Sequence, residues 1–242
     1  MNNSHLSVQH PSTLLPQPVR SGKGLRALTL LTVAGLSLVI MRGLLTGNWW
    51  FFVTLTWNLF LAWFPLGVVL VLRDLRTAGF KNPWLLGIVL IVWLVFLPNA
   101  PYIITDLYHV KEVDNHLLWF DTMTLFLFAL TGLLIGLYSI LIVHRMLRPL
   151  VGQWSTWALM LFSQVLSGFG IYLGRMGRWN SWDILAQPSS LIRAIALAYQ
   201  DHLSIKLTLA YGFVLIVLYV AFYWYVEHEN HPVANQLSLS DD

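Results

Sequence analysis

Long apolar runs separated by short polar clusters set the pattern of this chain. The runs cover residues 25–45, 49–72, 84–97, 117–143, 154–173 and 207–226, and short polar, charged or proline-bearing stretches bound them. An apolar helix of about 20 residues crosses the hydrocarbon core of a bilayer at ~1.5 Å per residue. The pattern therefore predicts an all-α fold: a polytopic membrane helical bundle with about six transmembrane helices. The third run departs from the rule. Only 14 residues lie between Pro83 and Pro98, enough for ~21 Å of the ~30 Å core. The missing length has to come from residues 99–104, so the third helix is predicted to be broken between Pro98 and Pro101, inside the membrane boundary. Irregular backbone at that depth is tolerated only against protein or a wet cavity. Residues 187–202 form a shorter segment. Pro188, Ser189 and Ser190 read as a helix start, and Leu191, Ile192, Ile195 and Tyr199 as one apolar face, which predicts one short interfacial helix.

The flanks and boundaries complete the organisation. Residues 1–24 are polar and carry Pro11, Pro16 and Pro18; they read as a disordered cytoplasmic tail, residues 25–226 as the transmembrane bundle, and residues 227–242 as a second disordered cytoplasmic tail. The first run is longer than a signal-peptide core, and no small-x-small cleavage site follows it, which predicts a retained anchor. The second run carries Asn58, read as an interhelical hydrogen bond, and Pro65 in its interior, where a kink is expected. His144, Arg145 and Arg148 read as a cationic boundary closing the fourth run.

Composition agrees. Of 242 residues, 57% are hydrophobic and 10% charged, against ~25% charged in a soluble domain. The net charge of +3 forms no basic stripe, so no nucleic-acid partner is expected. With no cysteine there is no disulfide, thiolate metal site or cysteine nucleophile. Six spans put both termini on one side. Arg20, Lys23, Arg26, Arg73, Arg76, Lys81, Arg145 and Arg148 share that side, against Arg42, Lys111, Arg175, Arg178, Arg193 and Lys206 on the other. The positive-inside rule then predicts a bacterial plasma (inner) membrane protein with both termini cytoplasmic and the polar motifs extracytoplasmic.

Two such motifs reach that outer surface, LPNAPYIITDLYHVKEVDNHLLWFD from Leu97 to Asp121 and GRMGRWNSWD from Gly174 to Asp183. If the stretch after Tyr102 is helical, Tyr102, Asp106 and His109 stand one turn apart on one face. Asp106, His109 and Asp121 are the catalytic candidates, because a carboxylate or imidazole near the apolar boundary suits acid–base work. Asp106, His109 and His116 could alternatively ligate a divalent metal such as zinc, although their spacing matches no specific zinc motif. In the plainest reading Asp106 pairs with Arg175 or Arg178 and locks two loops. Arg175 and Arg178 can clamp a phosphate or carboxylate, with Asn180, Trp182 and Asp183 completing an anion-binding set; Trp179 and Trp182 otherwise serve as interfacial belt aromatics. Gly132 and Gly136 form a deep GxxxG packing face, whereas Gly170 and Gly174 lie near the outer surface, so the two pairs are not expected to face each other.

The motifs Pro98-Asn99-Ala100-Pro101-Tyr102, Thr105-Asp106-Leu107, Trp119-Phe120-Asp121 and Arg178-Trp179-Asn180-Ser181-Trp182-Asp183 together resemble a bacterial integral-membrane family called domain of unknown function 1361. The resemblance runs from about residue 49 to 225. It implies a multi-pass membrane protein and transfers no catalytic residue. From the residues themselves, the leading expectation is an outward-facing Asp/His/Arg pocket in contact with the lipid bilayer, binding or processing an anionic lipid or lipid-linked phosphate. A small transporter or channel component is a second expectation and a non-catalytic scaffold a third.

Overall fold

The computed structural model describes residues 21–112 and 116–228, with the side chains of 21, 108–112 and 228 left out of the description. Residues 1–20 and 229–242, most of the two expected tails, lie outside the described residues, whereas residues 21–24 and 227–228 are helical and extend α1 and α9. Nine α-helices and one 3₁₀ segment are described: α1 (Ser21–Thr46), α2 (Trp50–Thr77), α3 (Pro83–Phe96), α4 (Asn99–Tyr102), the 3₁₀ segment (Ile103–Glu112), α5 (Leu118–Val151), α6 (Gln153–Gly177), α7 (Asp183–Ala186), α8 (Pro188–Ala198) and α9 (His202–His228). Six stretches are long and apolar enough to cross a membrane: α1, α2, Pro83–Leu107, α5, α6 and α9. The chain is a polytopic helical bundle, as the run lengths predict. α8 is the short apolar helix expected after Pro188.

Local chemistry sets the helix ends. The Asn82 side chain accepts the Trp84 N–H at 2.9 Å, and Pro83 occupies the first turn, where its missing N–H costs nothing. Asn48 does the same for Trp50 of α2 at 3.1 Å. α2 continues through Pro65 without interruption.

α5 is the axis of the bundle. In its most apolar window 72% of residues are buried inside the protein, against 44% at most in the other spans. Leu55, Leu59, Ala62, Leu66 and Val69, spaced alternately four and three apart, bury one stripe of α2, which packs against α5. Thr124, Thr131 and Ser139 of α5 are buried, and each satisfies its hydroxyl on a carbonyl of its own helix. α6 packs mainly on α9. Their crossing is close: a Cβ at Gly168 would stand 2.6 Å from the Thr208 carbonyl oxygen, the close backbone approach that small residues permit between membrane helices.

The end of the bundle that carries both described termini is closed by aromatic packing. His144 is not a cationic boundary residue. It is fully buried, with a 2.6 Å hydrogen bond between Nδ1 and the Tyr219 hydroxyl, Tyr223 stacked at 4.8 Å and Trp157 edge-on at 4.9 Å. The charge is carried beside it, where Arg145 donates to Glu227 at 2.8 and 3.0 Å.

Candidate functional site

The opposite end holds both polar motifs, built around the broken third span. Pro98 and Pro101 supply no N–H, so the regular hydrogen-bond ladder cannot run through them. α3 stops at Phe96, Ala100 N–H bonds the Leu97 carbonyl at 3.1 Å, and Tyr102 N–H bonds that of Pro98 at 3.0 Å. The chain then tightens into the 3₁₀ segment, with Thr105 Oγ1 donating to the Tyr102 carbonyl at 2.8 Å. Three residues per turn replace 3.6. Tyr102 and Asp106 are therefore not one α-helical turn apart, yet both line the cavity described next.

The break is wedged between two helices. A Cβ at Gly132 of α5 would stand 2.5 Å from the Ala100 carbonyl oxygen, and one at Gly136 would stand 3.1 Å from the Ala100 Cβ. On the other side, a Cβ at Gly170 of α6 would stand 2.5 Å from Pro98 Cγ, and one at Gly174 would stand 3.0 Å from the Tyr102 ring. The two glycine pairs are not directly apposed, yet they are not at separate depths either: both abut the stretch from Pro98 to Tyr102. Asn99 Nδ2 donates to Ser181 Oγ at 2.9 Å, and Ser181 Oγ donates to the Val95 carbonyl at 3.0 Å. The two motifs, about 80 residues apart in sequence, thus form one structure.

Beside this junction lies a cavity of about 1150 Å³ between α2 and α6. Its lining is graded along both helices. On α2 it passes from Trp50 and Thr54 through Asn58 to Leu61; on α6 it passes from Arg178 and Arg175 through Leu173 to Phe169 and Leu166. The charged and polar groups lie toward the end of the bundle, interleaved there with aromatic and aliphatic ones such as Trp50, Trp57 and Trp179, and the deeper lining is apolar. Arg42, Arg175 and Arg178 line it, and Asp106 is the carboxylate in the lining among the described residues.

The expected site residues divide. Asp106 lines the cavity, is 8% exposed and accepts Asn58 Nδ2 at 2.8 Å, so the expected interhelical role of Asn58 is fulfilled on the candidate carboxylate itself. Asp121 is fully buried and lies behind the lining: Arg42 Nε reaches its Oδ1 at 2.6 Å and Nη2 its Oδ2 at 2.9 Å. The His109 side chain lies outside the described residues. His116 is exposed and does not line the cavity, and no group of three metal-type ligands occurs among the described residues. Arg175, Arg178 and Asn180 line the cavity. Trp182 does not; its ring meets Trp57 edge-on at 6.0 Å. Asp183 is buried and turns back on its own loop, accepting the Asn180 N–H at 2.7 Å.

Arg178 has φ of +56°, the only non-glycine residue in the left-handed region among those described. It ends α6, where glycine is the ordinary choice. Its guanidinium is exposed, and no side chain among the described residues holds it.

Arg42 enters the sequence reading only as a charge to be counted for topology. In the fold it lies near the end of α1, with its guanidinium carbon 4.4 Å from the centroid of the Phe51 ring. Its Nη1 is buried without a hydrogen-bond partner among the described residues. A charge within a span demands a counter-charge, and that demand is the signal that could have paired it with Asp121.

A family model described as "Protein of unknown function (DUF1361)" matches residues 57–218. No curated protein and no solved structure matches the chain. The matched stretch begins at Trp57 on α2, so it includes both motifs and excludes Arg42.

Proposed function

Because the chain belongs to the DUF1361 family of proteins of unknown function, its role has to be read from the site, and we propose that the cavity binds or processes an anionic lipid or lipid-linked phosphate. The observation that carries this reading is the graded lining, arginines at one end and leucine and phenylalanine at the other. Charge supports it. Three arginines line the cavity, and Asp106 in the lining and Asp121 behind it leave the described set net positive. Guanidinium groups bind phosphate or carboxylate oxygens in pairs. Asp106, steadied by Asn58, is placed for acid–base work on a bound headgroup. The site is assigned to the extracytoplasmic face of an inner membrane, with both termini cytoplasmic, on the balance of lysine and arginine.

The graded lining also favours this reading over a channel, which needs polar residues through the bilayer centre; the far end of the bundle is filled by His144, Tyr219 and Trp157 instead. The test is binding of dodecyl phosphate to purified protein in nanodiscs, with dodecanol as the neutral control. Wild type should retain the phosphate and release the alcohol. Arg175→Gln/Arg178→Gln should lose affinity at least tenfold, since a hydrogen bond to a charged group is worth ~1.5–3 kcal/mol. Equal retention of both probes by wild type would sink the proposal.

A further inference from the structure

We infer that the ligand of this cavity keeps its chain in the bilayer and enters sideways, past an edge contact between Trp57 and Trp182. The inference rests on the proposed anionic-amphiphile reading and adds its route and its class: a lipid phosphate that never leaves its leaflet.

Depth gives the first argument. The lining runs from Trp50 to Leu61 on α2 and from Arg178 to Leu166 on α6, which is about 16–18 Å at ~1.5 Å per residue. Half of a ~30 Å hydrocarbon core is about 15 Å. The depth of the cavity therefore matches one leaflet.

The walls give the second. Trp50 and Trp57 line the cavity and are 74% and 51% exposed. With Val53 and Phe60, also exposed, they form the outward stripe of α2. Trp50 and Trp57 thus stand where the cavity wall meets that stripe. α2 packs on α1, α3 and α5, whereas α6 packs mainly on α9, so α2 and α6 do not pack closely on each other and leave a gap between them. The contact that bridges it is the edge-on meeting of the Trp57 and Trp182 rings, 6.0 Å between centroids at 66°. Trp182 comes from the turn after α6, next to α7, whose Leu185 is 88% exposed.

Energetics give the third. Each methylene carried from bilayer to water lowers the partition about fourfold, which is roughly ten-million-fold for a chain of about twelve. A chain that slides between Trp57 and Trp182 avoids that loss, while its headgroup stays level with Arg175 and Arg178.

The absence of cysteine makes the test direct. Trp57→Cys/Trp182→Cys would be bridged with a bifunctional thiol reagent in nanodiscs, and uptake of hexadecyl phosphate and of inorganic phosphate followed before and after bridging. Bridging should slow hexadecyl phosphate uptake at least tenfold and leave inorganic phosphate binding unchanged. Trp57→Ala, which opens the contact without new chemistry, should speed uptake severalfold. Uptake of hexadecyl phosphate at the same rate with and without the bridge would overturn the lateral route while leaving the anion site standing. Failure of the unbridged protein to bind either probe would overturn the anion site and the route with it.

Discussion

Replacing Arg178 by glycine separates a ligand-binding arginine from a structural one. At φ +56° an L side chain crowds its own carbonyl, at a cost of ~1–2 kcal/mol that glycine escapes. Glycine in turn loses ~0.4–1 kcal/mol because its unfolded chain is freer. No side-chain bond among the described residues is lost with the guanidinium. The net expectation is a protein between ~0 and ~1.5 kcal/mol more stable than wild type. Affinity should move the other way, by roughly ten- to a hundredfold for one lost charged hydrogen bond, with the exposed position favouring the lower figure. Unfolding in mixed micelles titrated with SDS reads the first quantity, and dodecyl phosphate binding at fixed salt reads the second. Arg178→Ala supplies the control: it keeps the backbone strain and loses the charge, so it should bind as weakly as the glycine variant without the gain in stability. A loss of more than ~1 kcal/mol in Arg178→Gly would refute the reasoning, because it would mean that the arginine side chain holds the fold.

The buried Arg42–Asp121 pair should be strongly coupled: Asp121→Asn should destabilise by ~3–5 kcal/mol by leaving a buried guanidinium without its counter-charge, whereas Arg42→Met/Asp121→Leu should come close to wild type. A double variant that falls by the sum of the two single losses would show the pair to be uncoupled. Gly132→Ala should destabilise by ~1–3 kcal/mol because its Cβ meets the rigid Ala100 carbonyl, while Gly87→Ala on α3, where nothing lies within 4 Å, should be neutral or gain up to ~1 kcal/mol; equal effects in SDS unfolding would contradict the wedge. Asp201, which lies between α8 and α9, is held below the ordinary carboxylate value chiefly by the Tyr172 hydroxyl at 2.7 Å and then by the Leu203 N–H. Its contribution is present above the ordinary carboxylate value and lost as pH falls through the lowered one. Tyr172→Phe should move the Asp201 carboxyl titration upward by NMR, and an unmoved titration would count against the hydroxyl as the cause.

Run length makes the six spans legible in the sequence, because bilayer thickness fixes how many apolar residues a helix needs. The shortfall before Pro98 likewise announces the break. Pairing is less legible. Asn58 is readable as a hydrogen-bonding residue but not as the partner of Asp106, and Arg42 not as that of Asp121, because each pair depends on the register of helices distant in sequence. The meeting of the two motifs is harder still to read. Charge suggests Asp106 with Arg175 or Arg178, whereas the junction described runs through Asn99 and Ser181, small polar groups with weak individual signals. The glycine depths mislead for a related reason. Counting along a helix places Gly132 and Gly170 at different levels only if the segment between them is ignored.

That segment has an evolutionary consequence. Pro98, Ala100 and Tyr102 are gripped by four glycines on two helices, and shape makes the fit against those glycines, since neither Pro98 nor Pro101 offers an N–H to a neighbour. Such positions cannot drift one at a time. A larger residue at Gly170 demands a smaller one at Pro98, which would restore the missing N–H and with it the pull toward a continuous helix. The five-residue motif and its glycines are thus expected to change only together, and a variant that loses one of them is expected to lose the break itself.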